Sequence, residues 1–143
     1  DDLYNQEKYH SVNRIFQKCL TAEKVKYETH EKLIKSLIRI ELYEPALLLI
    51  KKIREFEKNS SLLNYMGVCY DGLKNHDLAQ EYYLKALKLS PGNRDIIGNQ
   101  ALSVLSQGRE EGVILLKNLK EDPDATIQDI ENYQVGRRLL EMK

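Results

Sequence analysis

The sequence predicts an all-α fold of stacked antiparallel helix pairs. Three observations carry this. Small or β-branched residues recur every 33–34 positions. Each opens an apolar triplet at helical spacing, and no stretch alternates as a strand would. The recurring residues are Val12, Ala46, Ala79 and Gly112, separated by 34, 33 and 33 positions. Four residues after each comes a large apolar side chain, namely Phe16, Ile50, Tyr83 and Leu116. Three further on stand Cys19, Ile53, Ala86 and Leu119. Positions i, i+4 and i+7 share one helical face. A second series, Ile34, Gly67 and Ala101, is spaced by 33 and 34 residues and is followed after three residues by Leu37, Tyr70 and Val104.

The elements then follow in order along a single domain, residues 1–143. The segment 1–20 reads as the second half of a repeat, its helix running from about Lys8 to Leu20. Residues 22–58 form a repeat with helices over about Ala22–Ile40 and Tyr43–Phe56, with Pro45 in a first turn that tolerates proline. Residues 60–92 hold the helices Ser60–Gly72 and His76–Leu89, closed by Pro91-Gly92. The next repeat, 93–121, holds Asn93–Gln107 and Arg109–Lys120. Asp122-Pro123-Asp124 reads as a stop and a new start. Within 124–143 a capping helix runs over Thr126–Val135, and either Gly136 ends it or it continues through Arg137–Glu141.

Composition narrows the function. The 143 residues carry 22 basic and 22 acidic side chains, a formal net charge of zero. Residues 1–58 hold 12 basic and 10 acidic groups, and residues 59–143 hold 10 and 12. A balanced chain lacks the basic excess that nucleic acid or an anionic membrane calls for. The apolar run Ala46–Ile50 is far too short for a bilayer, so direct membrane insertion is not expected. No signal peptide opens the chain, which begins inside a repeat, so targeting information would lie upstream of Asp1.

Chemistry is hard to find. His10, His30 and His76 stand apart from one another and read as helix-surface or turn residues. Cys19 and Cys69 read as buried small side chains, with a disulfide between them the minor alternative. Phosphate-binding, nucleophile-elbow and zinc-protease motifs are all missing. No cofactor, metal or catalytic site is expected, and a surface must carry the function.

The unit Leu63-x2-Met66-Gly67-x2-Tyr70, Ala79-x3-Tyr83-x2-Ala86, Pro91 resembles the tetratricopeptide repeat. Two departures stand out: Leu63 replaces a Trp, and Gly112 replaces the usual Ala in the following repeat. The resemblance implies a right-handed superhelix with the first helix of each pair lining a concave groove. Residues turned away from the core face would form its wall: Glu28, Glu31, Lys35 and Arg39, then Asn64, Val68 and Asp71, then Gly98, Asn99, Leu102 and Leu105. An apolar strip of Val68, Leu102 and Leu105 would suit a protein or peptide partner. Relatives that clamp chaperone C-termini use Lys, Asn and Arg there, and of the corresponding residues only Asn99 suits that role.

Within Asn64–Asn132, the segments Gly67-Val68-Cys69-Tyr70-Asp71, Asn99-Gln100-Ala101-Leu102-Ser103 and Pro123-Asp124-Ala125-Thr126 are similar to tetratricopeptide lipoproteins of bacterial tight-adherence (Tad/Flp) pilus systems. That resemblance implies a periplasmic protein held at the outer membrane by a lipid on a cysteine upstream of Asp1. Its role would be assembly of the outer-membrane secretin. The alternatives are a cytosolic adaptor or co-chaperone, and a module that self-associates through exposed repeat ends.

Overall fold

The computed structural model describes residues 2–21 and 26–142. Among them all regular structure is helical. The chain divides into two compact units, residues 1–57 and 58–143.

The first unit holds α1 (Asp2–Thr21), α2 (Tyr27–Arg39) and α3 (Tyr43–Lys52). Consecutive helices pack on one another. On α1 the stripe Val12, Phe16 and Cys19 is buried, as the triplet spacing demands. This helix begins at Asp2, six residues before the expected start at Lys8. The expected opening of the second helix at Ala22 lies outside the described residues. α2 buries Leu33, Ile34 and Leu37 against Ala46, Leu47, Leu49 and Ile50 of α3. α3 stops at Lys52, four residues short of the expected Phe56. Ile53 turns extended at ψ 127° and Glu55 adopts a left-handed φ of 58°, so the chain leaves the helix for a short 3-10 turn over Phe56–Lys58.

Five helices make the second unit: α4 (Ser60–Gly72), α5 (His76–Leu89), α6 (Arg94–Ser106), α7 (Glu111–Glu121) and α8 (Ile127–Glu141). Each packs on its successor, and α6 also packs on both α4 and α8. Three asparagines set the starts. Asn59, Asn75 and Asn93 each accept the backbone N–H three residues on, from Leu62, Leu78 and Ile96, at 3.0, 3.3 and 3.2 Å. α8 opens with a reciprocal capping box between Thr126 and Asp129. Gly136 does not end it: the helix runs on to Glu141.

Small residues stand where helices touch. Gly67 of α4 lies under the ring of Tyr83 of α5, and a Cβ there would come within 2.6 Å of Tyr83 Cδ1. Gly112 stands where the resemblance predicts Ala, and for a local reason. A Cβ would sit 2.5 Å from the carbonyl oxygen of Ala101 and 2.7 Å from Leu105 Cγ. Arg94 fastens the far end, meeting Asp122 at 2.6 Å, Asp129 at 3.5 Å and the Leu119 carbonyl at 3.4 Å. The Asp124 backbone N–H, and then Arg94, hold the Asp122 carboxyl below the usual aspartate range. A depressed carboxyl favours the folded state above the ordinary aspartate pKa, and that contribution fades as pH falls through the lowered value. Burial pushes both thiols up, Cys69 to about 12, so each is a neutral core side chain.

The crossing at Gly67 makes a direct prediction. Gly67→Ala should lower unfolding stability by about 1–3 kcal/mol, because the added methyl displaces the Tyr83 ring. Urea denaturation checks it, and an unchanged midpoint would show that the ring has room to give.

Candidate binding face

The expected wall residues fall into two groups. Glu28, Glu31, Lys35 and Arg39 belong to the first unit, where they form one i, i+3, i+7, i+11 stripe along α2. Glu31 accepts from the Tyr27 hydroxyl at 2.8 Å and pairs with Lys35 at 3.4 Å. The other seven residues belong to the second unit, on α4 and α6.

Among those seven the structure separates surface from interior. Val68 and Leu102 are half-buried and hold equivalent places on α4 and α6, 34 residues apart. Asn64 is buried at 7% exposure, and its Oδ1 accepts from Asn99 Nδ2 at 3.1 Å. This amide pair bridges α4 and α6 beside Val68 and Leu102.

Leu105 is not on the surface. It is fully buried in a cluster with Ala101 and Leu116, which corrects the expectation of an apolar strip reaching that far. The cause is α8. Its Gly136 has no side chain, so the helix comes close enough that a Cβ there would lie 2.8 Å from Leu105 Cδ1 and 2.6 Å from Leu116 Cδ1. The exposed strip therefore ends at Leu102.

Asp71 is also diverted inward. Its Oδ2 accepts from the Tyr83 hydroxyl at 2.7 Å. Its Oδ1 accepts from Ser103 Oγ at 2.7 Å and meets His76 Nδ1 at 2.9 Å. A carboxylate only accepts, so the His76 Nδ1 carries the proton in this contact. One side chain thus ties α4 to both α5 and α6. Burial first, and then the Asp71 carboxylate, push the Tyr83 hydroxyl far above its ordinary range, so it stays a neutral donor.

Aspartate, histidine and serine side by side resemble hydrolytic machinery, but the wiring differs. Ser103 and His76 both bind the carboxylate, with no serine–imidazole bond to activate a nucleophile. Ser103 is 3% exposed, so no substrate can reach it. Among the described residues no group of three or more His, Cys, Asp or Glu is placed to hold a metal ion. No helix among them is long and apolar enough to cross a membrane.

Sequence reasoning missed one contributor to the face, Asn132, and Gly98, expected on the wall, is instead buried beside it. Asn132 of α8 lies beside Gly98 of α6, where a Cβ on the glycine would be 2.9 Å from Asn132 Nδ2. Its Oδ1 accepts from Gln128 at 2.9 Å. The face of α4, α6 and α8 thus presents amides on both flanks of Leu102, Asn64–Asn99 on one side and Asn132 on the other. The 34-residue step from Gly98 to Asn132 was the available signal.

No curated protein matches this chain. Residues 60–93, the pair α4–α5 with its closing turn, match the family model of the tetratricopeptide repeat, so this pair is a repeat of a kind that typically binds other proteins without catalysis.

Proposed function

We propose that the face of α4, α6 and α8 binds an extended segment of a partner protein. The observation that carries this is the row of amides, Asn64–Asn99 and Asn132, set around half-buried Leu102 with Val68 alongside. A carboxamide offers a donor and an acceptor together, which matches the alternation of N–H and C=O along a peptide backbone. Leu102 and Val68 supply an apolar floor on which one or two partner side chains lose water. Backbone recognition over such a floor tolerates many sequences and rewards an extended one. In the first unit, the α2 stripe of Glu28, Glu31, Lys35 and Arg39 offers a charged contact surface of its own.

The likeness of Asn64–Asn132 to tight-adherence lipoproteins supports placing that partner among outer-membrane pilus-assembly proteins. Mass spectrometry of the native N-terminus decides the placement. A lipidated cysteine upstream of Asp1 in the membrane fraction supports it, and an unmodified cytosolic N-terminus removes it.

The binding face itself is tested by panning a displayed peptide library against the chain. Peptides enriched on the native protein should lose at least about tenfold in affinity on Leu102→Glu, with helicity retained by circular dichroism. Val68→Glu, at the equivalent α4 position, should act in the same direction. Enriched peptides that bind both variants as tightly as the native chain would remove this face from the function.

A further inference from the structure

The side of α8 turned away from its unit carries a stripe that is complementary to itself. Asp129 and Gly136 mark the buried side of the helix. Opposite them, at i, i+4, i+7, i+11 and i+15, stand Ile127, Glu131, Gln134, Arg138 and Met142. All five are exposed, Ile127 at 77% and Met142 at 81%. Val135, on the same side, is 41% exposed. Neither Glu131 nor Arg138 forms an ion pair with the described residues.

Laying a second copy of this helix antiparallel, with the two-fold axis between Gln134 and Val135, brings like to its match. Ile127 faces Met142 of the other copy, Glu131 faces Arg138, and Gln134 faces Val135. The same three pairings repeat on the other side of the axis, as an isologous contact requires. The reversed order of charge along the stripe favours this antiparallel register. A parallel pairing would set Glu131 against Glu131 and Arg138 against Arg138. From Ile127 to Met142 the stripe is about 22 Å long, since a helix rises about 1.5 Å per residue.

We propose that this face of α8 is a self-association surface whose occupant is the α8 of a second copy of this chain. One helix pair buries less than the standard interface, which puts the dimer in the weak, concentration-dependent class. The association leaves the amide-lined face untouched, because Asn132 lies on the flank of α8 nearer α6. It therefore stands or falls independently of partner binding.

Sedimentation equilibrium of the 143-residue chain, from about 5 to about 500 µM, reads the outcome. The mass should rise from the 16.7 kDa monomer toward twice that value. Glu131→Arg alone and Arg138→Glu alone should each weaken dimerisation at least about tenfold, because the two-fold turns each change into two repulsive pairs. Mixing the two variants should restore association as a heterodimer, in which every pair is again opposite in charge. Both side chains are exposed, so folding survives either change, and circular dichroism confirms it. A monomer throughout the range would overturn the proposal. So would a dimer indifferent to both charge reversals, or a mixture that fails to associate.

Discussion

The second unit depends on one tyrosine. Tyr83 lays its ring across Gly67 and sends its hydroxyl to Asp71, so a single side chain both sets how closely α4 and α5 approach and ties the last turn of α4 to α5. The ring is 1% exposed, and it fills the space that the missing Cβ of Gly67 leaves. A hydroxyl buried that deeply costs stability unless it finds an acceptor. Asp71 is that acceptor, and its second oxygen extends the tie to Ser103 on the next helix pair. The packing of one pair and the stacking of the next are thereby joined through one carboxylate.

That arrangement limits where the proposed partner segment could lie. The position equivalent to Asp71 on α6 is Leu105, 34 residues on, and it too is consumed by the interior. The apolar part of the proposed face is thereby confined to the middle turns of the two helices, at Val68 and Leu102. The amides beside them are held in place from both sides, Asn64 by its bond to Asn99 and Asn132 by its bond to Gln128. A binding face built on fixed helices gives up little freedom when a segment docks.

The sequence carried the repeat register because close helix contacts leave a periodic trace. Val12, Ala46, Ala79 and Gly112 are all buried, as are the large residues four positions on. Helix ends were legible where capping chemistry is local, at Asn59, Asn75, Asn93 and Thr126. They were not legible where the backbone itself turns. Glu55 adopts a left-handed conformation with no glycine or asparagine to announce it, so α3 reads longer than it is. Leu105 and Asp71 were misread for a related reason. Periodicity names the side of a helix, but it does not say that a glycine on α8 lets that helix cover the side in question. Partners 12 and 32 residues distant, as Tyr83 and Ser103 are from Asp71, leave no mark at helical spacing.

Asp71 couples Tyr83 and Ser103 into one structural unit. A double-mutant cycle of Tyr83→Phe and Ser103→Ala, measured by urea denaturation, reads that coupling. A coupling of about 0.5–3 kcal/mol is expected between these residues, which are joined through the carboxylate. Stability losses that simply add would contradict it.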